Sequence, residues 1–71
     1  MNLYYEMTTV YGVELTEEEA EMVRQLAEDE GLELDEAAGE LVLNGRIDPW
    51  NGREKWIFDE SNNGHFCVYD D

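Results

Sequence analysis

Acidic side chains are concentrated in the middle of this chain, where they alternate with apolar residues. Residues 14–40 contain twelve Asp or Glu and one base, Arg24, which gives this segment a net charge of −11. Residues 1–13 contribute −1 and residues 41–71 contribute −3, which completes the net charge of −15. Blocks of like charge are often disordered, but the apolar residues here recur at helical spacing. They are Leu15, Val23, Leu26, Leu34, Leu41 and Val42. We therefore predict that the acidic block is folded.

The first half of this block has the start and stop signals of a helix. Thr16 and Glu19 have the spacing of a capping box, in which each side chain accepts from the other residue's backbone N–H. Gly31 suits the left-handed position that ends a helix. The apolar stripe consists of Ala20, Val23, Leu26 and Ala27. We predict a helix from Glu17 to Glu30.

A second, shorter helix is predicted directly afterwards. Asp35 is a suitable N-cap residue, and Asn44-Gly45 is a typical stop signal. The apolar positions follow helical spacing, and they are Ala37, Ala38, Leu41 and Val42. Two consecutive short amphipathic helices predict a helical hairpin.

The segment before the helices alternates with a period of two residues, which is typical of a half-buried strand. The apolar side chains occupy odd positions, namely Leu3, Tyr5, Met7, Tyr11, Val13 and Leu15. We predict one strand over residues 1–15, with a bulge at Gly12.

The segment from Lys55 to Tyr69 predicts a β-hairpin around Asn62-Asn63-Gly64. A two-residue loop places Phe66 and Val68 on the face opposite the apolar residues of the preceding strand. A three-residue loop with Gly64 in the left-handed conformation pairs Phe58 with Val68. This second register gathers Trp56, Phe58, Phe66 and Val68 on one face, and we prefer it for that reason.

The predicted fold is α+β in the order β-α-α-β-β, with a three-stranded antiparallel sheet packed against a short helical hairpin. Residues 1–71 form a single acidic domain. A chain of this length buries only about 60% of its unfolded surface, so we expect modest stability. We also expect a monomer.

The composition restricts the partners and the compartment. A net charge of −15 excludes unaided binding to nucleic acid or to an anionic membrane, so the expected partner is basic. The single cysteine permits no intrachain disulfide. The start, MNLYYEM, lacks the basic region and apolar run of a signal peptide, and we expect a cytoplasmic protein.

The candidate site is the acidic face of the two helices. On a helical wheel the acids of both helices point away from the apolar stripes, and loop acids join the two sets. Carboxylates at i and i+4 lie about 6 Å apart, close to the spacing of phosphates along one nucleic-acid strand. The candidate residues are Glu17, Glu18, Glu21, Glu28, Asp29, Glu33, Asp35, Glu36 and Glu40.

In size, charge and this acidic row, the chain resembles the small acidic proteins that phages and mobile elements use against DNA-handling host enzymes. Anti-CRISPR and anti-restriction proteins belong to this kind. The resemblance implies a DNA mimic, a non-enzymatic inhibitor that occupies the basic groove of a nucleic-acid-binding enzyme in the host cytoplasm. It carries over no role for an individual residue, because these inhibitors share no sequence motif. A solvated acidic face, or adaptation to a salty cytoplasm, is the alternative explanation of the same charge.

Residues 9–43 also resemble a ribbon-helix-helix unit, with an alternating strand, a Leu-Thr-Glu-Glu helix entry, a Glu-Gly turn and a short second helix. In that family an intertwined dimer reads DNA through basic residues on the strand. The corresponding positions here are Val10, Gly12 and Glu14, which argue against DNA binding. The resemblance therefore implies a dimeric antitoxin or regulator scaffold that acts through protein binding.

Other sequence signals are weaker. The segment from Asp59 to Asp70 has the length of a calcium loop but only two carboxylates at ligand positions. His65 and Cys67 lie two residues apart on one strand face, but no third ligand has a compatible spacing, so we predict no metal. We find no catalytic constellation and expect no enzyme and no cofactor. Trp50 is expected to pack over the sheet edge, with an exposed binding anchor as the alternative.

Overall fold

The computed structural model describes residues 1–6, 9–53 and 64–70. The described chain has two strands, then two helices, then a third strand. In chain order these are β1 (Asn2–Glu6), β2 (Val10–Glu14), α1 (Glu17–Glu30), α2 (Leu34–Leu43) and β3 (His65–Tyr69).

The three strands form one antiparallel sheet in the order β2-β1-β3. The central strand β1 pairs Leu3 with Val13 on one side and with Val68 on the other. This sheet and the two helices share one buried core. The predicted α+β class, with a three-stranded antiparallel sheet and a pair of helices, is confirmed.

Residues 1–15 are not the single strand that the alternation predicted. They form the two strands β1 and β2, which pair Tyr5 with Tyr11 and Leu3 with Val13. This register joins odd positions to odd positions, so both strands keep their apolar side chains on the core face. The period of two therefore identified the correct face but could not reveal that the segment forms two strands.

Gly12 does not mark a bulge, because it pairs in regular register with Tyr4. A Cβ atom at Gly12 would lie only 2.6 Å from Cε1 of Tyr4. The glycine thus makes room for the tyrosine ring, which covers the strand where a side chain is missing.

Part of the predicted second hairpin lies outside the described residues. Trp56 and Phe58 fall within residues 54–63, which lie outside the described residues, so neither the strand predicted for them nor the pairing of Phe58 with Val68 is described. The last strand is confirmed as β3. Phe66 and Val68 pack against the core, whereas His65 and Tyr69 on the other face are exposed.

Helix α1 has the predicted bounds and the predicted caps. The backbone N–H of Glu19 donates to Thr16 Oγ1 at 3.1 Å, and the N–H of Thr16 donates to Glu19 Oε1 at 2.9 Å. Gly31 is left-handed, with φ 65° and ψ 33°. The reciprocal hydrogen bonds satisfy two backbone donors at the helix start, which explains why the helix begins at Glu17.

Helix α2 begins earlier than predicted. Its N-cap residue is Glu33, which makes no side-chain cap hydrogen bond, and Asp35 lies inside the first turn. The predicted capping role of Asp35 is therefore wrong. The helix ends at Leu43 with Asn44 as its C-cap, as the stop signal predicted.

The core lies between the sheet and the helices. Its buried apolar side chains are Leu3, Tyr5, Leu15, Ala20, Val23, Ala37, Ala38, Leu41, Val42, Ile47 and Trp50. Trp50 is only 3% exposed, so it packs in the interior and is not a surface anchor. Gly39 allows α2 to approach β3, because a Cβ there would lie 2.7 Å from Cδ2 of Phe66. None of the described helices has the length and apolar character that a membrane span requires.

We expect Thr16→Ala to destabilise the protein by about 1 kcal/mol, because it removes the acceptor for the N–H of Glu19. Urea unfolding followed by circular dichroism measures the change. The control is Thr16→Ser, which keeps the hydroxyl and should cost a few tenths of a kcal/mol at most. Equal losses in the two variants would show that the cap hydrogen bond contributes nothing.

Candidate functional site

Helix α1 presents an acidic surface to solvent, which Met22, Arg24 and Gln25 interrupt between its two acidic ends. Its buried residues, Ala20 and Val23, occupy one side of the helix. All five candidate acids of this helix are exposed, namely Glu17, Glu18, Glu21, Glu28 and Asp29. The wheel therefore assigned these acids to the correct side of the helix.

Three of these acids surround a groove between the two helices, which we call the α1 groove. It has a volume of about 530 Å³ and combines apolar and acidic side chains. The lining residues are Glu18, Glu21, Met22, Gln25, Leu26, Asp29, Leu41 and Arg46. An open groove with apolar side chains between carboxylates suits a partner that carries both apolar and basic groups.

The base inside the acidic block is held away from this groove. Arg24 donates from Nε to Asp70 Oδ2 at 3.3 Å and from Nη2 to Asp70 Oδ1 at 3.1 Å. The hydrogen bond that Arg24 donates to Asp70 is the main cause that raises the pKa of Arg24, and the same bond lowers the pKa of Asp70. Arg24 also approaches Glu21, but only to 3.9 Å. Asp70 thus takes up most of the charge of Arg24, and among the described residues Arg46 is the base that lines the groove.

The acids of α2 lie around a different groove, which we call the α2 groove. This groove, of about 550 Å³, runs between α2 and β3. Its lining residues are Asp35, Glu36, Gly39, Glu40, Leu43, Asn44, His65 and Phe66. Glu36 and Glu40 are exposed here, one helical turn apart.

The structure thus divides the nine candidate acids into three sets. Glu18, Glu21 and Asp29 line the α1 groove, and Asp35, Glu36 and Glu40 line the α2 groove. The remaining three are exposed and line neither groove; they are Glu17, Glu28 and Glu33.

Asp35 makes a hydrogen bond to the backbone of another element, whereas the contacts recorded for Glu21 and Asp29 stay within α1. Its Oδ1 accepts a hydrogen bond from the backbone N–H of Val68 at 2.7 Å, and its side chain is half-buried. The bond connects the first turn of α2 to the edge of β3. Asp35 therefore stabilises the fold, and its charge is less available to a partner.

We expect Asp35→Ala to destabilise the protein by about 1–2 kcal/mol, because the N–H of Val68 loses its acceptor. Asp35→Asn keeps an oxygen acceptor and should retain more than half of that stability. Thermal or urea unfolding of both variants checks this. Glu36→Ala, which changes an exposed neighbour, is the control and should have an effect within about 0.5 kcal/mol. If Glu36→Ala were as damaging as Asp35→Ala, the hydrogen bond would not be the cause.

The density of charge decides whether the acids can resemble a nucleic acid. The whole surface measures 4702 Å², so 15 net negative charges correspond to about 310 Å² each. A DNA duplex has one charge per roughly 110 Å². When the 11 net charges of residues 14–40 are assigned to half of the surface, each has about 210 Å², within about twofold of the duplex. The acids therefore approach the charge density of DNA only if they are clustered on half of the surface, whereas the average surface does not approach it.

The opposite face of the sheet carries a second group of polar side chains. Tyr4 and Tyr69 pack edge to face with ring centroids 5.4 Å apart. Beside them lie a carboxylate oxygen of Glu6, a ring nitrogen of His65 and the Sγ of Cys67. These three atoms are all within 4.8 Å of one another. Burial is the main cause that raises the pKa of the Cys67 thiol, followed by its hydrogen bond with Glu6. The charge of Glu6 is the main cause that raises the pKa of Tyr69.

Sequence reasoning missed two features of these surfaces. The apolar part of the α1 groove, with Met22 and Leu26, was not predicted, although Met22 interrupts the polar side of the helix and is 37% exposed. The approach of Glu6 to His65 and Cys67 was also missed. It depends on the pairing of β1 with β3, which no local spacing reveals.

Comparisons with family models, with curated proteins and with solved structures each find no match to this chain. Geometry and charge are therefore the basis for a function.

Proposed function

We propose that this protein is a non-enzymatic inhibitor that mimics the phosphates of nucleic acid and blocks the basic groove of a DNA-binding host defence enzyme. The target class is a restriction enzyme or a CRISPR effector, and the setting is the host cytoplasm. The acidic side chains of α1 around the α1 groove form the main contact, and those of the segment from Glu33 to Glu40 extend it.

One observation carries this proposal: the five candidate acids of α1 are exposed, and among the described residues the ion pair recorded for them is a loose one between Glu21 and Arg24. The base within residues 14–40, Arg24, is engaged by Asp70 through two hydrogen bonds. A stable helix that holds so many like charges without neutralising them loses stability through repulsion. A binding function explains why the chain keeps this arrangement.

The same arrangement explains how inhibition works. Glu17 and Glu21 lie one helical turn apart, about 6 Å, so a basic groove meets two anions at a spacing similar to that of phosphates. Glu28 and Asp29 continue the acidic side about two turns farther along α1. Long-range attraction speeds association, and salt weakens it. The apolar side chains Met22 and Leu26 add contacts that DNA cannot make, which favours the inhibitor over the substrate.

Competition with DNA tests this proposal. The immobilised protein is used to retain proteins from bacterial lysate at low salt, and those that elute at high salt are identified and purified. We expect a basic nuclease or effector whose labelled DNA is displaced by the inhibitor, as measured by fluorescence anisotropy. If the retained protein binds its DNA and the inhibitor at the same time, the phosphate-mimic mechanism is wrong.

The position of β2 favours a second candidate function, a dimeric antitoxin or regulator scaffold of the ribbon-helix-helix kind. In the described part of the chain β2 is an edge strand that leads directly into α1 and α2. Val10, Gly12 and Glu14 point to solvent, as that resemblance implies. A free edge can pair with a second copy. Light scattering after size exclusion distinguishes the two functions, because the inhibitor is expected to be a monomer and the scaffold a dimer.

A further inference from the structure

The pairing of β1 with β3 brings together three side chains that commonly bind metal ions. Glu6 on β1 is directly opposite His65 on β3, and Cys67 is two residues farther along β3. Side chains at i and i+2 of a strand share one face. Phe66 and Val68 pack against the core, so His65 and Cys67 lie on the opposite face, together with Glu6.

The distances between their donor atoms are close to those of a bound metal. One nitrogen of His65, the Sγ of Cys67 and a carboxylate oxygen of Glu6 all lie within 4.8 Å of one another. Zinc binds such donors at about 2.0–2.3 Å, so two donors on one tetrahedral ion are roughly 3.5 Å apart. Small side-chain rotations are sufficient to close the difference, because the backbone of the paired strands already fixes the three positions.

We propose that Glu6, His65 and Cys67 form a binding site for one zinc-class transition-metal ion. A thiolate and an imidazole favour Zn²⁺ and related ions over Ca²⁺ and Mg²⁺, which prefer oxygen donors alone. On binding, the Cys67 thiol gives its proton to solvent and the metal takes its place. One thiolate and one carboxylate then balance the charge of a divalent ion.

The surroundings of the three side chains favour an ordered site. Glu6 and Cys67 are half-buried, whereas His65 is exposed, so a metal ion can enter from solvent. Tyr4, which is opposite Cys67 in the sheet, packs against Tyr69 and forms one side of the cluster. Three protein donors leave the fourth position of a tetrahedral ion open to water or to a ligand from a partner.

This site is separate from the α1 groove, the main contact of the proposed inhibitor, although His65 also lines the α2 groove. Its residues belong to β1 and β3, whereas the α1 groove is lined by α1 and by residues 41 and 46. Metal binding and partner binding at the α1 groove can therefore fail independently. The sequence had suggested His65 and Cys67 as a possible pair, and the fold provides the third donor.

Cobalt binding in the presence of a reductant tests the proposal, because a Co²⁺–thiolate bond has a characteristic ultraviolet absorption band. We expect this band to saturate at one ion per chain, to disappear on addition of Zn²⁺, and to persist in excess Mg²⁺. Cys67→Ser should abolish the band. His65→Ala and Glu6→Gln should each weaken zinc affinity at least tenfold in calorimetry.

A matched control separates this site from general attraction of cations to an acidic protein. Glu14→Gln removes an exposed carboxylate from β2 and the same formal charge as Glu6→Gln. It should leave both the cobalt band and the zinc affinity unchanged. Circular dichroism verifies that each variant is folded. The proposal is overturned by a wild-type protein without the cobalt band, or by folded Cys67→Ser protein that binds zinc as tightly as wild type.

Discussion

Leu3→Ala is expected to leave much of the protein unfolded at room temperature. Leu3 is completely buried on the central strand and pairs with residues of both neighbouring strands. Truncation of a buried leucine costs about 2–5 kcal/mol, through lost burial and the remaining cavity. A single core in a domain of this size supplies only about 3–5 kcal/mol of net stability. The loss is therefore comparable to the whole stability.

The chain contains a matched control for this substitution. Leu43, at the end of α2, is 68% exposed, and Leu43→Ala should change stability by less than about 0.5 kcal/mol. Urea unfolding followed by circular dichroism and tryptophan fluorescence measures both variants. If both leucine substitutions had the same effect, the interior around the central strand would not be the main source of stability.

The helices were predictable because their signals are local. The capping box of Thr16 and Glu19 and the left-handed Gly31 involve residues that are near one another in sequence, so the ends of α1 followed directly. Asp35 shows the limit of this approach. Its side chain suits a cap, but it accepts instead from Val68, a partner 33 positions away. A competing long-range hydrogen bond cannot be inferred from helix signals.

The strands were less predictable because the alternation of apolar and polar residues shows which side chains share a face. It does not show where one strand ends and the next begins. Tyr5 and Tyr11 face the core in the observed hairpin, and they would also share a face in one long strand. The two arrangements have the same period of two, so the pattern cannot distinguish them. Gly12 was misleading for a related reason, since its small size accommodates the ring of Tyr4 on the adjacent strand.

The candidate site was predictable in its chemistry but not in its arrangement. A helical wheel correctly assigned the acids of α1 to the solvent side, because that depends only on the helix itself. The division of the acids between the two grooves depends on how the helices pack against each other and against β3. Packing of this kind is set by contacts between distant segments, and so is the meeting of Glu6 with His65.

Reversing charge at the α1 groove is expected to have the largest effect on partner binding. In the variant Glu18→Lys/Glu21→Lys, two exposed carboxylates at the groove become cations facing a basic partner. Like charges that meet in an interface cost several kcal/mol, so we expect a loss of about 2–4 kcal/mol, or roughly thirty- to thousandfold in affinity. The measurement is titration of the enzyme identified by retention, at low and at high salt.

The variant Glu14→Lys/Glu30→Lys separates the location of charge from its total. Both control residues are exposed and lie outside the nine candidate acids, and each double variant changes the net charge from −15 to −11. General attraction over a long range depends mainly on net charge, so it predicts equal losses for the two variants. A defined contact at the α1 groove predicts a loss in the control of less than about tenfold, from slower association.

In 1 M salt the Debye length falls to about 3 Å, so the loss in the control should nearly vanish. The loss of affinity in Glu18→Lys/Glu21→Lys should persist in part, because the two lysines also keep the partner from contacting Met22 and Leu26. Equal losses at both salt concentrations would refute the α1 groove as the binding site.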